Sequence, residues 1–381
     1  MFHPFRMQST PNSNGDMMKV LLIEPFYSGS HKAWADQWKA RSRHQFEFLT
    51  MPGLFWRWRM EGGTVTLAKK YLDLSFQPDL IIASDMLDLG RFLALTRKKT
   101  ASIPTCVYFH ENQLSYPWSP HYKTTASHQR RNYGWTNITS ALAADWVWFN
   151  SNFHRQNFIS STLTFLQSFN DFQETESAQL ISDKSSVMQL AVDLHRFDAF
   201  KTPKSKKPLI LWNHRWIYDK NPEEFFQAIY ALQDKNIDFD VVVLGETQGA
   251  ISKIFTAAKQ RLGSRVLHMG YVDSFAEYAT WLWRSTHIPV TSIQDFFGIS
   301  AVEGIYCQAI PLLPERLAFP DHLPANPEVY YNNKQLVPKL ESQLGWQETA
   351  QYADLVAKYD WSYRIEEMDN EIDRVVGLGA S

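Results

Sequence analysis

The sequence predicts two α/β domains in tandem, each a doubly wound, Rossmann-like parallel sheet, facing one another across a cleft. Three observations carry this. The chain has 381 residues, more than one compact core normally holds, so two domains of roughly 150–200 residues are the natural division. Short, nearly continuous apolar runs rich in β-branched and aromatic residues alternate with longer stretches of helical composition. That is the pattern of parallel strands covered on both faces and joined by crossover helices. The rhythm then breaks once, at the basic, Pro-bearing stretch 200–208 (FKTPKSKKP), and restarts.

Taken in order, strands are expected at 20–23, 46–49, 80–83, 106–109, 147–149 and 187–190, with helices over 32–43, 64–74 and 91–99. The Ser/Gln/Thr-rich stretch 160–186 reads as an insertion with a polar helix. After the break, strands are expected at 209–212, 241–244, 266–269, 288–291 and 310–313, with helices over 223–233, 275–283 and 299–306. The division is a disordered leader over 1–17, a first domain over 18–200, a linker over 201–208 and a second domain over 209–345. A C-terminal helical segment, 346–381, packs back on the first domain.

Composition narrows the function classes. Hydrophobic residues make up 44% and charged residues 20%, which is globular rather than disordered. A net charge of −2 is not the overall signature of a nucleic-acid binder, although a local basic patch can serve one. Cys106 and Cys307 both sit in apolar runs and read as reduced, buried thiols. No apolar stretch reaches the ~20 residues needed to span a bilayer, and residues 1–16 lack the apolar centre of a signal peptide. A cytoplasmic protein without membrane insertion is expected.

In open α/β sheets ligands bind beyond the carboxyl ends of the strands, so the loops after the strands are where chemistry is sought. Arg215 and Lys220 follow the strand at 209–212 and precede a helix. A planar guanidinium fork, a point charge and a helix N-terminus together suit a diphosphate. In the segment from Asp295 to Glu303, Phe297 and Gly298 open a helix whose backbone N–H groups can face an anion. Glu303 stands among apolar neighbours, where a carboxylate needs hydrogen-bond donors such as ribose hydroxyls. His110, Glu111 and Asn112 end the strand at 106–109 and aim a polar trio at the cleft. Ser28, Gly29, Ser30 and His31 form the first strand-to-helix turn and suit close approach by a phosphate or sugar. Gly245, and Gly270 with Tyr271 and Val272, end further strands, and the latter three could bracket a nucleobase through their backbone. The Asp238-Phe239-Asp240 triplet has the form of a metal motif but precedes its strand, the wrong end for a ligand site, so no metal is expected.

These segments resemble the retaining GT-B glycosyltransferases, especially family 4. The resemblance rests on an Arg-x4-Lys pair (Arg215, Lys220) and an E-x7-E segment in which Asp295 replaces the first Glu. A closer likeness covers most of the chain. The start EPFYSGSHK (24–32), the stretch WRWR (56–59), YFHENQLSYP (108–117) and DFFGISAVEGIYC (295–307) look like the tRNA-queuosine alpha-mannosyltransferase family. That resemblance implies a nucleotide-sugar donor, GDP-mannose, used without a further cofactor, and queuosine in a tRNA anticodon as acceptor. It implies a first domain for the acceptor and a second for the donor. On this reading Arg215 and Lys220 neutralise the departing diphosphate, Glu303 holds the ribose, and Asp295 with the Phe297-Gly298 backbone orients the sugar. His110 reaches toward the sugar or phosphate. For tRNA contact the candidates are Trp56, Arg57, Trp58 and Arg59, with Arg130 and Arg131, because interleaved Trp and Arg suit stacking on a splayed base. The rival readings are the same fold acting on a lipid or polysaccharide, a nucleotide-sugar epimerase, and a binding module without turnover.

Overall fold

The computed structural model describes residues 17–117, 126–245, 252–345 and 350–379. The chain divides into two compact units, one made by the chain up to Ala191 together with the chain from Ser362 onward, the other running from Val192 to Trp361.

The first unit is a six-stranded parallel sheet: β1 (Lys19–Tyr27), β2 (Gln45–Pro52), β3 (Leu80–Ser84), β4 (Thr105–Phe109), β5 (Trp146–Phe149) and β6 (Ser185–Val187), in the order β2-β1-β3-β4-β5-β6. Its connections are α1 (Gly29–Arg41), α2 (Trp56–Met60), α3 (Gly63–Asp73), α4 (Leu89–Thr100), α5 (Ala126–Ala143), α6 (Asn152–Gln167) and α7 (Glu176–Asp183). Every residue of β3 and β4 is buried, which is why these strands read as unbroken apolar runs. Ile81, Val107, Phe109 and Phe149 from the sheet close on Leu67, Tyr71, Phe92 and Phe158 from the helices. Side-chain caps fix two helix starts: Asp88 accepts from the Arg91 N–H (2.9 Å) and Ser151 from the His154 N–H (3.1 Å). The strand order reverses between β1 and β3, the position at which open sheets leave a ligand crevice.

The second unit repeats the plan with β7 (Leu209–Asn213), β8 (Asp240–Leu244), β9 (Val266–Gly270), β10 (His287–Pro289), β11 (Ile310–Pro314) and β12 (Tyr330–Tyr331), ordered β12-β11-β10-β7-β8-β9 and parallel throughout. The helices are α8 (Pro222–Asp234), α9 (Ser252–Leu262), α10 (Phe275–Arg284), α11 (Ile299–Tyr306), α12 (Leu336–Gln343) and α13 (Ala350–Ala357). The reversal falls between β7 and β10, so the loops after those two strands flank the crevice.

The last helix, α14 (Trp361–Gly379), belongs to the first unit from Ser362 on. Asp369 accepts from Ser42 Oγ (2.7 Å) and the Arg43 N–H (2.9 Å), and Glu371 accepts from Trp148 Nε1 (3.0 Å) and Ser186 Oγ (3.1 Å).

Two expectations need correction. The strand expected at 187–190 lies at Ser185–Val187: its register with β5 ends at Phe149↔Val187, after which the Met188 N–H still donates to the Phe149 carbonyl (2.9 Å). The stretch 160–186 is no insertion: α6 and α7 form the ordinary crossover from β5 to β6, with Ala178 and Ile181 of α7 buried. The 201–208 stretch is fastened to the second unit. Lys204 Nζ donates to the Ser285 and Cys307 carbonyls (2.6 Å each), and Lys207 Nζ pairs with Asp238 and Asp240 (2.8 Å each). Those two aspartates are thereby engaged by a lysine. The 1–17 leader lies outside the described residues but for Met17. Among the described residues no helix is long and apolar enough to cross a membrane.

Candidate active site

In the second unit the loops flanking the reversal meet at Lys220. This side chain is buried. Its Nζ lies 2.9 Å from Asp295 Oδ2 and 3.2 Å from Asp219 Oδ2, and donates to the Gln294 carbonyl at 3.0 Å. Burial alone would discharge the ammonium, but the two carboxylates outweigh it and hold its pKa above the usual lysine value. Burial likewise opposes the Asp295 charge, and the Lys220 ammonium overcomes it, so that carboxyl titrates below its usual range. Arg215 is exposed and forms no ion pair among the described residues. His214, directly before Arg215, is held neutral by burial and by Lys220, its pKa lowered to about 3. Its Nε2 is buried without a hydrogen-bond partner.

Glu303 projects from α11 and is buried. Its Oε2 accepts from Tyr278 Oη at 2.7 Å, and Arg196 Nη2 stands 3.5 Å from Oε1. Tyr278 Oη in turn accepts from Asn213 Nδ2 (3.1 Å), which also donates to the Ser300 carbonyl (3.0 Å). This chain ties α11, α10 and β7 together. Burial raises the Glu303 pKa against the pull of Tyr278 and Arg196, so further donors would be taken up readily.

Gly298 caps α11 in a left-handed conformation (φ 89°), and a Cβ there would lie 2.8 Å from the Phe319 ring. Phe297 is buried against His322 and Tyr359, and its carbonyl accepts from His322 Nε2 at 2.6 Å. The Phe297 ring therefore serves the core, and only its backbone is at the site. Gly245 and Gly270 are brought together by a hydrogen bond from Gly245 N–H to the Gly270 carbonyl (3.1 Å). Tyr271 is exposed and Val272 half-buried beside them. At Gly245 (φ 119°) a Cβ would meet the His214 carbonyl oxygen at 2.2 Å. Gly245→Ala is expected to cost about 2–4 kcal/mol through this clash and the backbone strain, read as a lower thermal midpoint.

In the first unit, residues from the carboxyl ends of β1, β3 and β4 converge. His31 Nδ1 donates to Glu24 Oε2 (3.0 Å), and Glu24 Oε1 accepts from the Phe26 N–H (2.8 Å). The His31 and His110 rings lie 4.2 Å apart, with Trp34 edge-on to His110 at 4.6 Å. Asp85 fixes the His110 backbone by accepting its N–H at 2.8 Å. Burial would neutralise His31, but the Glu24 carboxylate prevails and lifts its pKa to about 9. His110 is pushed the other way, well below the usual histidine value, by burial and by its two histidine neighbours His31 and His154. The pair is thus one imidazolium beside one neutral imidazole. His110 Nε2 and Asp85 Oδ2 are buried without hydrogen-bond partners, leaving an acceptor or donor of each type open to a ligand. Glu24, His31 and His110 are also the group among the described residues whose donor atoms, within 4.8 Å of one another, could hold a metal ion. An ion there would have to displace the proton that joins Glu24 to His31.

The remaining sequence candidates separate. Ser28 stands at the start of α1, with Gly29 (φ 51°) and Ser30 exposed beside it. Glu111 is half-buried and accepts from Gln113 Nε2 (3.0 Å). Asn112 is buried and folds its own turn, accepting from the Leu114 and Ser115 N–H groups (3.1 Å each). Arg59 is buried too, with Nε donating to the Pro52 carbonyl (3.0 Å). It braces the end of β2, which corrects its reading as an RNA contact. Trp56 packs on Tyr133 and Arg57 lies over Trp56, while Trp58 is exposed. Arg131 is exposed and lies over Phe165 and Phe169. The Arg130 side chain lies outside the described residues. Sequence reading missed Glu24, Asp85, Asp219, Asn213 and Tyr278. Asn213 ends β7 and Asp85 directly follows β3, a position that could have flagged these two.

Comparison with known proteins agrees with this architecture. The model for the tRNA-queuosine alpha-mannosyltransferase N-terminal region matches residues 19–192. A tRNA-queuosine alpha-mannosyltransferase of Drosophila melanogaster is 30% identical over 332 residues, 84% of this chain and 85% of the fly protein. Among solved structures, the trehalose-6-phosphate phosphatase N-terminal domain of Candida albicans superposes with a TM-score of 0.70 at 13% identity, covering 96% of this chain and 98% of its own. A UDP-forming trehalose-phosphate synthase of Burkholderia xenovorans gives 0.67 at 13% identity, covering 96% and 100%. At such identities the structures speak for the fold, two parallel-sheet α/β domains of the GT-B glycosyltransferase type. The extent of the likeness to the fly enzyme, with the N-terminal model over 19–192, places this chain in the tRNA-queuosine alpha-mannosyltransferase family.

Proposed function

We propose that this protein is a retaining glycosyltransferase that moves mannose from GDP-mannose to queuosine in a tRNA anticodon, in the cytoplasm. The observation that carries the donor half is the meeting of Lys220, Asp219 and Asp295 beside the Asn213–Tyr278–Glu303 chain at the strand reversal of the second unit. Glu303 accepts the ribose hydroxyls. Lys220 and the exposed Arg215 stabilise the diphosphate as it leaves, so the cations that a leaving group needs are supplied by side chains rather than by a metal ion. Asp295 holds the Lys220 ammonium in place and, with the Gly298 backbone, orients the sugar. The acceptor half rests on family membership and on the first unit's histidine pair. His31, charged through Glu24, faces anionic oxygen, and neutral His110 hydrogen-bonds a hydroxyl. With Lys220 paired and no nucleophilic carboxylate free beside it among the described residues, transfer proceeds on the face from which the phosphate departs, and the α-configuration is kept.

The test is to incubate the protein with labelled GDP-mannose and tRNA with or without queuosine, and to count label in the RNA. Label that requires queuosine, as the α-anomer by NMR of the released nucleoside, is the expected result. Arg215→Ala is expected to reduce transfer about 10²-fold. GDP-mannose binding without label in either tRNA would overturn the acceptor and direct the search to lipids and polysaccharides.

A further inference from the structure

The loop after β2 has features that donor chemistry does not use. Phe55 sits at φ 55°, ψ 52°, a left-handed conformation that bulky side chains rarely adopt, and the residue is 78% exposed. Trp58, three residues on, is 58% exposed. One side of its indole lies against the bare backbone of Gly62, where a Cβ would come within 2.2 Å of the ring. A strained backbone that lifts large apolar surface into water does not serve the core.

The loop's position gives this surface a use. Pro52 is in register with Tyr27 at the end of β1. Gly53 is pressed so close to the Ser28 turn that a Cβ there would lie 1.9 Å from Ser28 Oγ. Trp56 and Phe26 pack on the cluster of Met60, Met86 and Tyr133, and Phe26 is edge-on to His31 at 6.2 Å. The exposed rings therefore adjoin the histidine pair at the carboxyl edge of the first unit's sheet. The charge is of the right sign, since the Arg57 guanidinium lies 5.4 Å from the Trp56 ring centroid. Flat π faces with an arginine among them complement an unpaired nucleobase and its phosphate.

We propose that Phe55 and Trp58 form a stacking platform for an unpaired RNA base beside the nucleotide that is modified. This rests on the tRNA-acceptor reading above. Phe55 is the sharper probe, because its substitution by glycine removes the ring while relieving the backbone.

Binding of a labelled anticodon stem-loop and transfer kinetics are measured on the full chain, Phe55→Gly and Phe55→Tyr. Phe55→Gly is expected to lose about 10- to 100-fold in stem-loop affinity, appearing in the KM for RNA rather than in kcat. Its thermal midpoint is expected to fall by no more than about 2 °C. Phe55→Tyr, which keeps a π face, is expected to stay within about threefold of the parent. A Phe55→Gly protein that binds RNA as the parent does overturns the platform while leaving the acceptor reading intact. So does a parent that self-associates through this loop, with Phe55→Gly monomeric and equal in RNA binding. A parent that neither binds the stem-loop nor labels tRNA overturns the acceptor reading, and the platform with it.

Discussion

Lys220→Ala is expected to lower kcat/KM for transfer by about 10³-fold or more and to destabilise the second unit by about 3–5 kcal/mol. The two effects have one origin. Lys220 is the cation on which Asp295 and Asp219 converge, and all three are buried or nearly so. Its removal leaves two carboxylates without compensation, and on the proposed reading it also takes a buried positive charge from the departing diphosphate. The double variant Lys220→Met/Asp295→Asn separates these roles. Removing Asp295 together with the lysine restores part of the lost stability, because only the Asp219 carboxylate is then left uncompensated. If Lys220 acts on the donor, transfer stays at the level of the single variant. Recovery of transfer along with the melting temperature would reduce the lysine to a structural strut.

For Glu24→Gln the upper limb of the pH–rate profile is expected to move down by about two units. In the parent, His31 stays protonated to about pH 9. Without the carboxylate it returns toward the ordinary histidine value near 6.5, or lower because it is buried. At pH 8 the variant would then be mostly neutral at His31 and at least tenfold slower. Stability follows the same group. A folded-state pKa above the unfolded one contributes stability that is fully present below about pH 6.5 and lost as pH rises through about 9. The parent is therefore expected to melt above the variant at pH 6, with the gap narrowing by pH 10. Identical upper limbs in the two proteins would mean that the reaction does not read the His31 charge.

The double α/β plan was legible because buried parallel strands leave apolar runs that no other element produces at that length. Residues at the ends of such runs were legible with them, as with His110 after β4 and Lys220 after β7. Glu24 escaped notice as a separate group because β1 extends to Tyr27. A carboxylate inside a strand's last turn of pleat carries no periodic signal, and its partner His31 lies across the loop. Tyr278 escaped for another reason. It sits in a helix whose composition is apolar, and its hydroxyl meets Glu303 25 residues downstream, a distance no local pattern spans. Asn112 closes its own turn, and in sequence such an Asn looks like one that faces a ligand. Arg59 was over-read: alternation with Trp suggested a surface, whereas its reach to the Pro52 carbonyl turns the side chain inward.

The return of α14 to the first unit has a consequence for how the chain is made. Domains tend to fold as they leave the ribosome, the N-terminal one first. Here the helix that receives Ser42, the Arg43 backbone and Trp148 begins only after Trp361. While residues 192–361 are being synthesised, the six-stranded sheet must wait with that flank open to water and to chaperones. The second unit, contiguous in sequence, can close on itself first. The earlier-made half of the enzyme is thus the later to be finished, and a nascent chain stalled before α14 would expose Trp38 of α1 and Trp148 of β5 on an otherwise folded unit.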